Sequence, residues 1–274
     1  MPSFNIRQPT VAGSFYPEQS NVLVRQLQQL IPKQIKLRQC IGCMLPHAGY
    51  MYSGKVAALT ISCIKIPKTV ILLGPKHHEL GQAYFSIWAK GAWKTPLGEV
   101  LIDEQFTQQL LSESGLFLED IRPHLPEHSL EVQLPFLQYL RADVQIVPIA
   151  VSSPQTSYLE KAAEKLSYVI KNTQKKEEYL ILASSDMNHF QSQEITKKKD
   201  SYAIEKILSL DPLGLLDVVK RYDISMCGFE PVALMLMTAR ILGAHHAELV
   251  SYATSGDITG DYSEVVAYAG VIVY

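Results

Sequence analysis

The sequence predicts an α/β protein, a three-layer sandwich whose mixed, mostly parallel central sheet carries helices on both faces. Three observations support this. Four short segments, 41–45, 70–73, 144–150 and 180–183, are continuously apolar and rich in Val, Ile and Leu, as strands covered on both faces must be. Amphipathic helical stretches lie at 54–64, 104–112, 129–140 and 158–170, the alternation that builds parallel crossovers. The 274 residues are 47% hydrophobic and 19% charged, which supplies a large core and nothing resembling a disordered tail.

The elements follow in order. Leu23, Leu27, Leu30 and Ile31 keep the spacing of one helix face, with Ser20 as N-cap and Pro32 as stop. Strand 41–45, helix 54–64 and strand 70–73 come next. Segment 84–88, followed by Thr95-Pro96-Leu97-Gly98, reads as a hairpin excursion. Helices 104–112 and 129–140 lead to strand 144–150, and helix 158–170 leads to strand 180–183. Segment 231–242 reads as a buried helix, and 247–253 and 264–274 as closing strands. No repeat, low-complexity segment or Pro/Gly/Ser-rich linker interrupts the pattern, so one domain over 1–274 is expected. The charge runs at 175–178 and 197–200 read as solvated surface.

Composition removes several classes of function. Twenty-five basic against 27 acidic side chains leave a formal charge of -2, so no basic field exists for nucleic acid or an anionic membrane. The longest apolar run, at 265–274, is far short of the roughly 20 residues of a membrane-spanning helix. The N-terminus lacks the apolar core and cleavage site of a secretory signal, and a cytoplasmic location is expected. Four cysteines are too few for a disulfide framework. Cys40-Ile41-Gly42-Cys43 spells C-x-x-C but falls in a strand rather than at a helix start, so both thiols read as inert packing.

Ligands of open α/β sheets bind beyond the carboxyl ends of the strands. Three such ends carry histidine: Pro46-His47-Ala48-Gly49-Tyr50, Gly74-Pro75-Lys76-His77-His78 and Ser184-Ser185-Asp186-Met187-Asn188-His189. With eight histidines in the chain, four of them in three strand-end loops point to a site. A fourth strand end adds Asp257 and Asp261, of which Asp261 reads as a turn residue and Asp257 as either turn or ligand. Two imidazoles and a carboxylate on separate strand ends suit a non-haem Fe(II) or, with water, a catalytic Zn²⁺.

These motifs, taken with Glu127-His128-Ser129-Leu130-Glu131, Cys227-Gly228, Tyr252-Ala253-x-Ser255 and Ala12-Gly13-Ser14-Phe15-Tyr16-Pro17, resemble the ordered motif series of the Memo family over essentially the whole chain. The resemblance implies an extradiol-dioxygenase-like fold and a prokaryotic or archaeal Memo protein of the AmmeMemoRadiSam system protein B type, encoded beside a radical-SAM protein. It assigns His47 and His78 to metal binding, with Asp186 and His189 facing them. It departs after the Tyr-Ala-x-Ser stretch, where Asp257 stands in place of the cysteine expected in animal members. Either Asp257 is the third ligand, which favours iron over Cu(I), or the site has two histidines and is weak.

His77 reads as orienting its neighbour, Glu127 as a helix cap, His128 as a pocket wall, and Phe15 and Tyr50 as further walls or plain packing. The resulting expectation is a metal-dependent, dioxygenase-like redox protein: Fe(II) on His47, His78 and Asp257, His189 moving a proton, Asp186 orienting it, and a small molecule as substrate. The alternatives are an adaptor that binds a peptide or protein in the same cleft and a zinc hydrolase. Copper or zinc are the other ions considered.

Overall fold

A computed structural model describes residues 6–34, 36–113, 115–172 and 179–274. The charge run at 175–178 and the first five residues, part of the segment read for a secretory signal, lie outside them. The chain runs β1 (Ile6–Arg7), α1 (Ser20–Leu30), β2 (Gly42–Leu45), α2 (Tyr50–Ser62), β3 (Thr69–Pro75), β4 (Phe85–Ile87), β5 (Ala92–Thr95), β6 (Gly98–Ile102), α3 (Glu104–Glu113) and β7 (Phe117–Glu119). Two 3-10 turns, Arg122–His124 and Glu131–Gln133, precede α4 (Leu134–Leu140), β8 (Gln145–Val151), α5 (Thr156–Asn172), β9 (Tyr179–Ser184) and β10 (His189–Gln191). The chain closes with α6 (Gln193–Leu208), α7 (Pro212–Arg221), α8 (Phe229–Ile241), β11 (Ala247–Thr254), α9 (Gly256–Thr259) and β12 (Val265–Val273). Among the described residues no helix is long and apolar enough to cross a membrane.

The four continuously apolar segments lie side by side in the centre, in the order β8-β3-β9-β2, all parallel, with β6 parallel beside β8, and β12 and β11 extend the sheet antiparallel. Alternation along the strands fills two cores. Ile71 and Leu73 of β3 pack with Phe106 of α3, Leu166 of α5 and Leu234 of α8. Val70 and Leu72 pack on the other face with Leu27 of α1, Ile61 of α2 and Leu137 of α4. A side chain sealed this way contributes roughly 1.5–3 kcal/mol, which is why no polar residue interrupts these strands from Val70 to Leu73.

Three details differ from the expectation. Segment 84–88 forms β4, which pairs with β8 and β7, while the hairpin is β5–β6 across Pro96 and Leu97. Helix 129–140 begins as a 3-10 turn and becomes α-helical at Leu134, with Pro135 in its first turn where its missing N–H costs nothing. The run at 197–200 lies in α6, and one member is not solvated: Asp200 is buried, accepting from the Tyr252 hydroxyl at 2.7 Å and the Asn188 N–H at 3.0 Å. Cys40 and Cys43 are both buried and free, Cys43 in β2 and Cys40 just before it.

The parallel register decides where chemistry can gather. Leu45 pairs with Ser184 and Leu73 with Ala183, so β2, β9 and β3 end on one edge and their three loops leave together.

Candidate metal centre

His47 stands two residues past the end of β2 and is buried. Its main-chain N–H donates to Asp186 Oδ1 at 2.8 Å, which ties the loop after β2 to the loop after β9. Its Nδ1 lies 3.0 Å from Ser184 Oγ. Its Nε2 lies 3.1 Å from Cys227 Sγ and 4.0 Å from Asp186 Oδ2. Burial first, and then the nearby His77, hold this imidazole neutral down to about 3.

His77 and His128 complete the group. One ligand atom from each of His47, His77 and His128 lies within 4.8 Å of the others. Glu127, which is 1% exposed, organises the second and third rings. Its Oε1 is 2.8 Å from His77 Nδ1 and 3.5 Å from His128 Nδ1, while Oε2 accepts the His77 main-chain N–H at 2.7 Å. The two rings stack at 4.8 Å. Burial pulls His77 down, but the hydrogen bond to Glu127 and its charge outweigh burial and leave the ring above the ordinary histidine value. Burial pushes Glu127 up, yet its bonds to His77 and Ser129 keep it well below the usual carboxylate range. His128 has no comparable partner, and burial followed by the neighbouring His47 lowers it to about 4.

Three further groups face these rings. Burial, then the Asp186 charge, push the Cys227 thiol up, so it holds its proton without an ion nearby. Burial likewise raises Asp186. His189, on β10, is fastened by Ser225, whose hydroxyl accepts its main-chain N–H at 2.7 Å and whose carbonyl faces its Nδ1 at 2.7 Å. It lies within electrostatic reach of both His47 and Asp186. Cys227 comes this close because Gly228 follows it: a Cβ there would stand 2.3 Å from the Ser184 carbonyl oxygen.

Two expected ligands lie outside the group. His78 is exposed, and its neighbour His77 takes the place because Glu127 reaches both its ring and its main-chain N–H. Asp257 is exposed and turns back on its own backbone, its Oδ2 accepting from the Thr254 N–H at 2.7 Å. Asp261 caps Ser263 in the same manner. Phe15 packs its ring 4.9 Å from His128, at the edge of the site. Tyr50 is buried against Tyr16 and Phe136 with its hydroxyl on the Val132 carbonyl, which is packing rather than a wall. His128, expected as a pocket wall, belongs to the group, and Cys227, which enters the sequence reading only through a family motif, stands beside His47. Its thiol reaches the site from two residues before α8, not from the stretch after Tyr252.

The donor set fits a cation. Nitrogen ligands about 2.1 Å from a common ion stand ~3–3.5 Å apart, so the group must contract by about an ångström. His77 and His128, with side chains 30% and 21% exposed, have room to do so, while His47 at 2% does not. Imidazole donors suit iron, copper and zinc alike.

Residues 7–272 match the family model described as Memo-like protein. A "MEMO1 family protein" of Sulfurisphaera tokodaii is 43% identical over 97% of this chain and 98% of its own length. Similar proteins occur in Ignicoccus hospitalis, 41% identical over 97% and 98%, and Methanopyrus kandleri, 38% identical over 97% and 98%. The extradiol-dioxygenase-like fold of that family agrees with the mixed sheet and its two helical layers. On the extent of these matches, the chain belongs to the Memo family.

Proposed function

We propose that the chain is a metal-dependent redox protein of the dioxygenase-like kind, with Fe(II) held by His47, His77 and His128. The convergence of three imidazoles within 4.8 Å carries the reading. Beside His47 Nε2 stand a hard donor, the Asp186 carboxylate at 4.0 Å, and a soft one, the Cys227 thiol at 3.1 Å, which suits iron and leaves copper as the alternative ion. A bound ion supplies Lewis acidity and, as iron, one-electron chemistry toward oxygen. The residues around it handle the proton. His189 has Nδ1 engaged by the Ser225 carbonyl, which leaves Nε2 to take a proton from a bound small molecule or return it. Asp186 holds the His47 main chain and biases His189 by charge. A functional link to a radical-SAM protein belongs to the same proposal.

A second reading, a zinc hydrolase, is favoured by the donor set itself, since three imidazoles with an open position serve catalytic Zn²⁺. Elemental analysis of protein purified without an affinity tag, followed by anaerobic Fe(II) loading and measurement of oxygen uptake, separates them. Iron with oxygen uptake supports the first reading. Zinc without it supports the second. Absence of any ion leaves the adaptor, for which Phe190, 74% exposed beside His189, is the contact to test.

A further inference from the structure

An imidazole binds a cation only through a nitrogen that carries no proton, so the competence of the centre depends on which nitrogen of each ring is protonated. Hydrogen-bond bookkeeping decides this for two of the rings. The Ser184 hydroxyl has one proton and two lone pairs. The proton goes to the Ser129 carbonyl oxygen at 2.7 Å, a buried acceptor. One lone pair takes the Gln133 side-chain N–H at 2.9 Å. The other faces His47 Nδ1 at 3.0 Å, so that nitrogen is the donor. At His77 the ring Nδ1 meets a Glu127 carboxylate oxygen at 2.8 Å, and an ionised carboxylate can only accept. In both neutral rings the lone pair is therefore on Nε2, which at His47 faces the protonated Cys227 thiol at 3.1 Å.

We propose that segment 127–133 is a proton template for the centre. It contributes the His128 ring. Through Glu127, and through the relay from Ser129 and Gln133 to Ser184, it also sets the neutral forms of His47 and His77 to the Nδ1-protonated tautomer, in which each Nε2 is bare. Glu127, Ser129, Gln133 and Ser184 act through the imidazoles and are positioning residues. The template is fastened from outside: Arg7 donates to the Glu127 carbonyl at 2.6 Å and to the Glu131 carboxylate at 2.6 Å. It also sits close on β3, where a Cβ at Gly74 would stand 2.8 Å from Ser129 Oγ. Only the affinity half of the following test rests on the metal-centre reading.

Metal-free protein carrying isotope-labelled histidine, studied by long-range proton–nitrogen correlation NMR in mildly alkaline buffer, reports the protonated nitrogen of each ring directly. The expected result is a proton-bearing Nδ1 and a bare Nε2 at His47 and His77. Ser184→Ala should shift His47 measurably toward the Nε2-protonated form, against the remaining Cys227 thiol, and leave His77 unchanged, while Ser184→Thr restores the wild-type pattern. In parallel, Zn²⁺ affinity measured against a competing chelator should fall roughly 10- to 100-fold in Ser184→Ala and recover in Ser184→Thr. A predominant proton on Nε2 of His47 or His77 in wild type, or a His47 pattern indifferent to Ser184→Ala, overturns the template. Wild type with the expected protonation but no Zn²⁺ uptake upholds the template and refutes the metal centre.

Discussion

Arg7→Ala tests whether the N-terminal segment holds the site's loop in place. The Arg7 side chain is 1% exposed and its partner Glu131 is fully buried. The guanidinium donates to Glu131 at 2.6 Å and to the carbonyls of His124 at 2.7 Å and Glu127 at 2.6 Å, with Trp93 beneath it at 4.4 Å. Removing one partner of a buried pair costs about 3–5 kcal/mol because the other charge is left uncompensated. Here Glu131 keeps the Tyr16 hydroxyl at 2.7 Å and the Val11 N–H at 3.0 Å, which pulls that cost toward its lower end. The orphaned carbonyls add about 1 kcal/mol each at most, and these contributions do not sum fully. A loss of about 4 kcal/mol is expected, with Arg7→Met combined with Glu131→Met costing less than the two single changes together.

The pH dependence carries a definite sign. Burial pushes the Glu131 carboxyl up, but the Arg7 charge and the N–H bonds outweigh it and leave it below its ordinary value. The pair therefore stabilises the fold above a carboxylate's usual value of about 4.3 and loses that contribution as pH falls through the lowered one. Urea unfolding followed by tryptophan fluorescence and circular dichroism measures the deficit at neutral pH and in acid. A loss below about 1 kcal/mol at neutral pH, or a deficit that grows in acid, would refute the reasoning.

Three further outcomes are expected. Burial pushes Asp200 up to about 6, so its own contribution to stability is greatest below its unfolded value near 4 and declines as pH rises to about 6. Asp200→Asn should remove that slope and gain on the order of 2 kcal/mol at neutral pH in urea unfolding, and a loss there would contradict the assignment. Gly228→Ala should cost about 1–3 kcal/mol, because the new methyl meets the Ser184 carbonyl at 2.3 Å and Ser185 Cβ at 2.6 Å, and a wild-type melting temperature would refute the close approach. Phe190 is 74% exposed with φ of 56°, so Phe190→Gly should be neutral or stabilising by up to about 1 kcal/mol in thermal melts, and a clear loss would show that the ring packs in solution.

The strands were legible in the sequence because burial on both faces leaves β3, β8 and β9 as unbroken apolar runs. Helix α6 was not, since it buries only Thr196, Asp200, Ala203 and Ile207 and has no apolar stripe. Helix α7 carried an unused signal, Asp211 capping Gly214 ahead of Pro212. His47 and Asp186 were readable because each follows a strand end. His77 and His78 could not be told apart locally, as the choice is made by Glu127, 50 residues away. Asp257 shared the look of a strand-end ligand, and its bond to the Thr254 N–H is a contact that spacing cannot distinguish from ligation. Cys227 reaches His47 across 180 residues from the start of a helix, where a search of strand ends does not look.

The central claim is that His47, His77 and His128 hold a metal ion, and an alanine series tests it most directly. Tag-free wild type and the His47→Ala, His77→Ala, His128→Ala, His78→Ala and Asp257→Ala variants would be loaded anaerobically with Fe(II), desalted and analysed for retained metal, with circular dichroism confirming that each is folded. The account predicts stoichiometric iron in wild type, His78→Ala and Asp257→Ala, and its loss in the other three. Retention in His77→Ala and His128→Ala together with loss in His78→Ala and Asp257→Ala would contradict it.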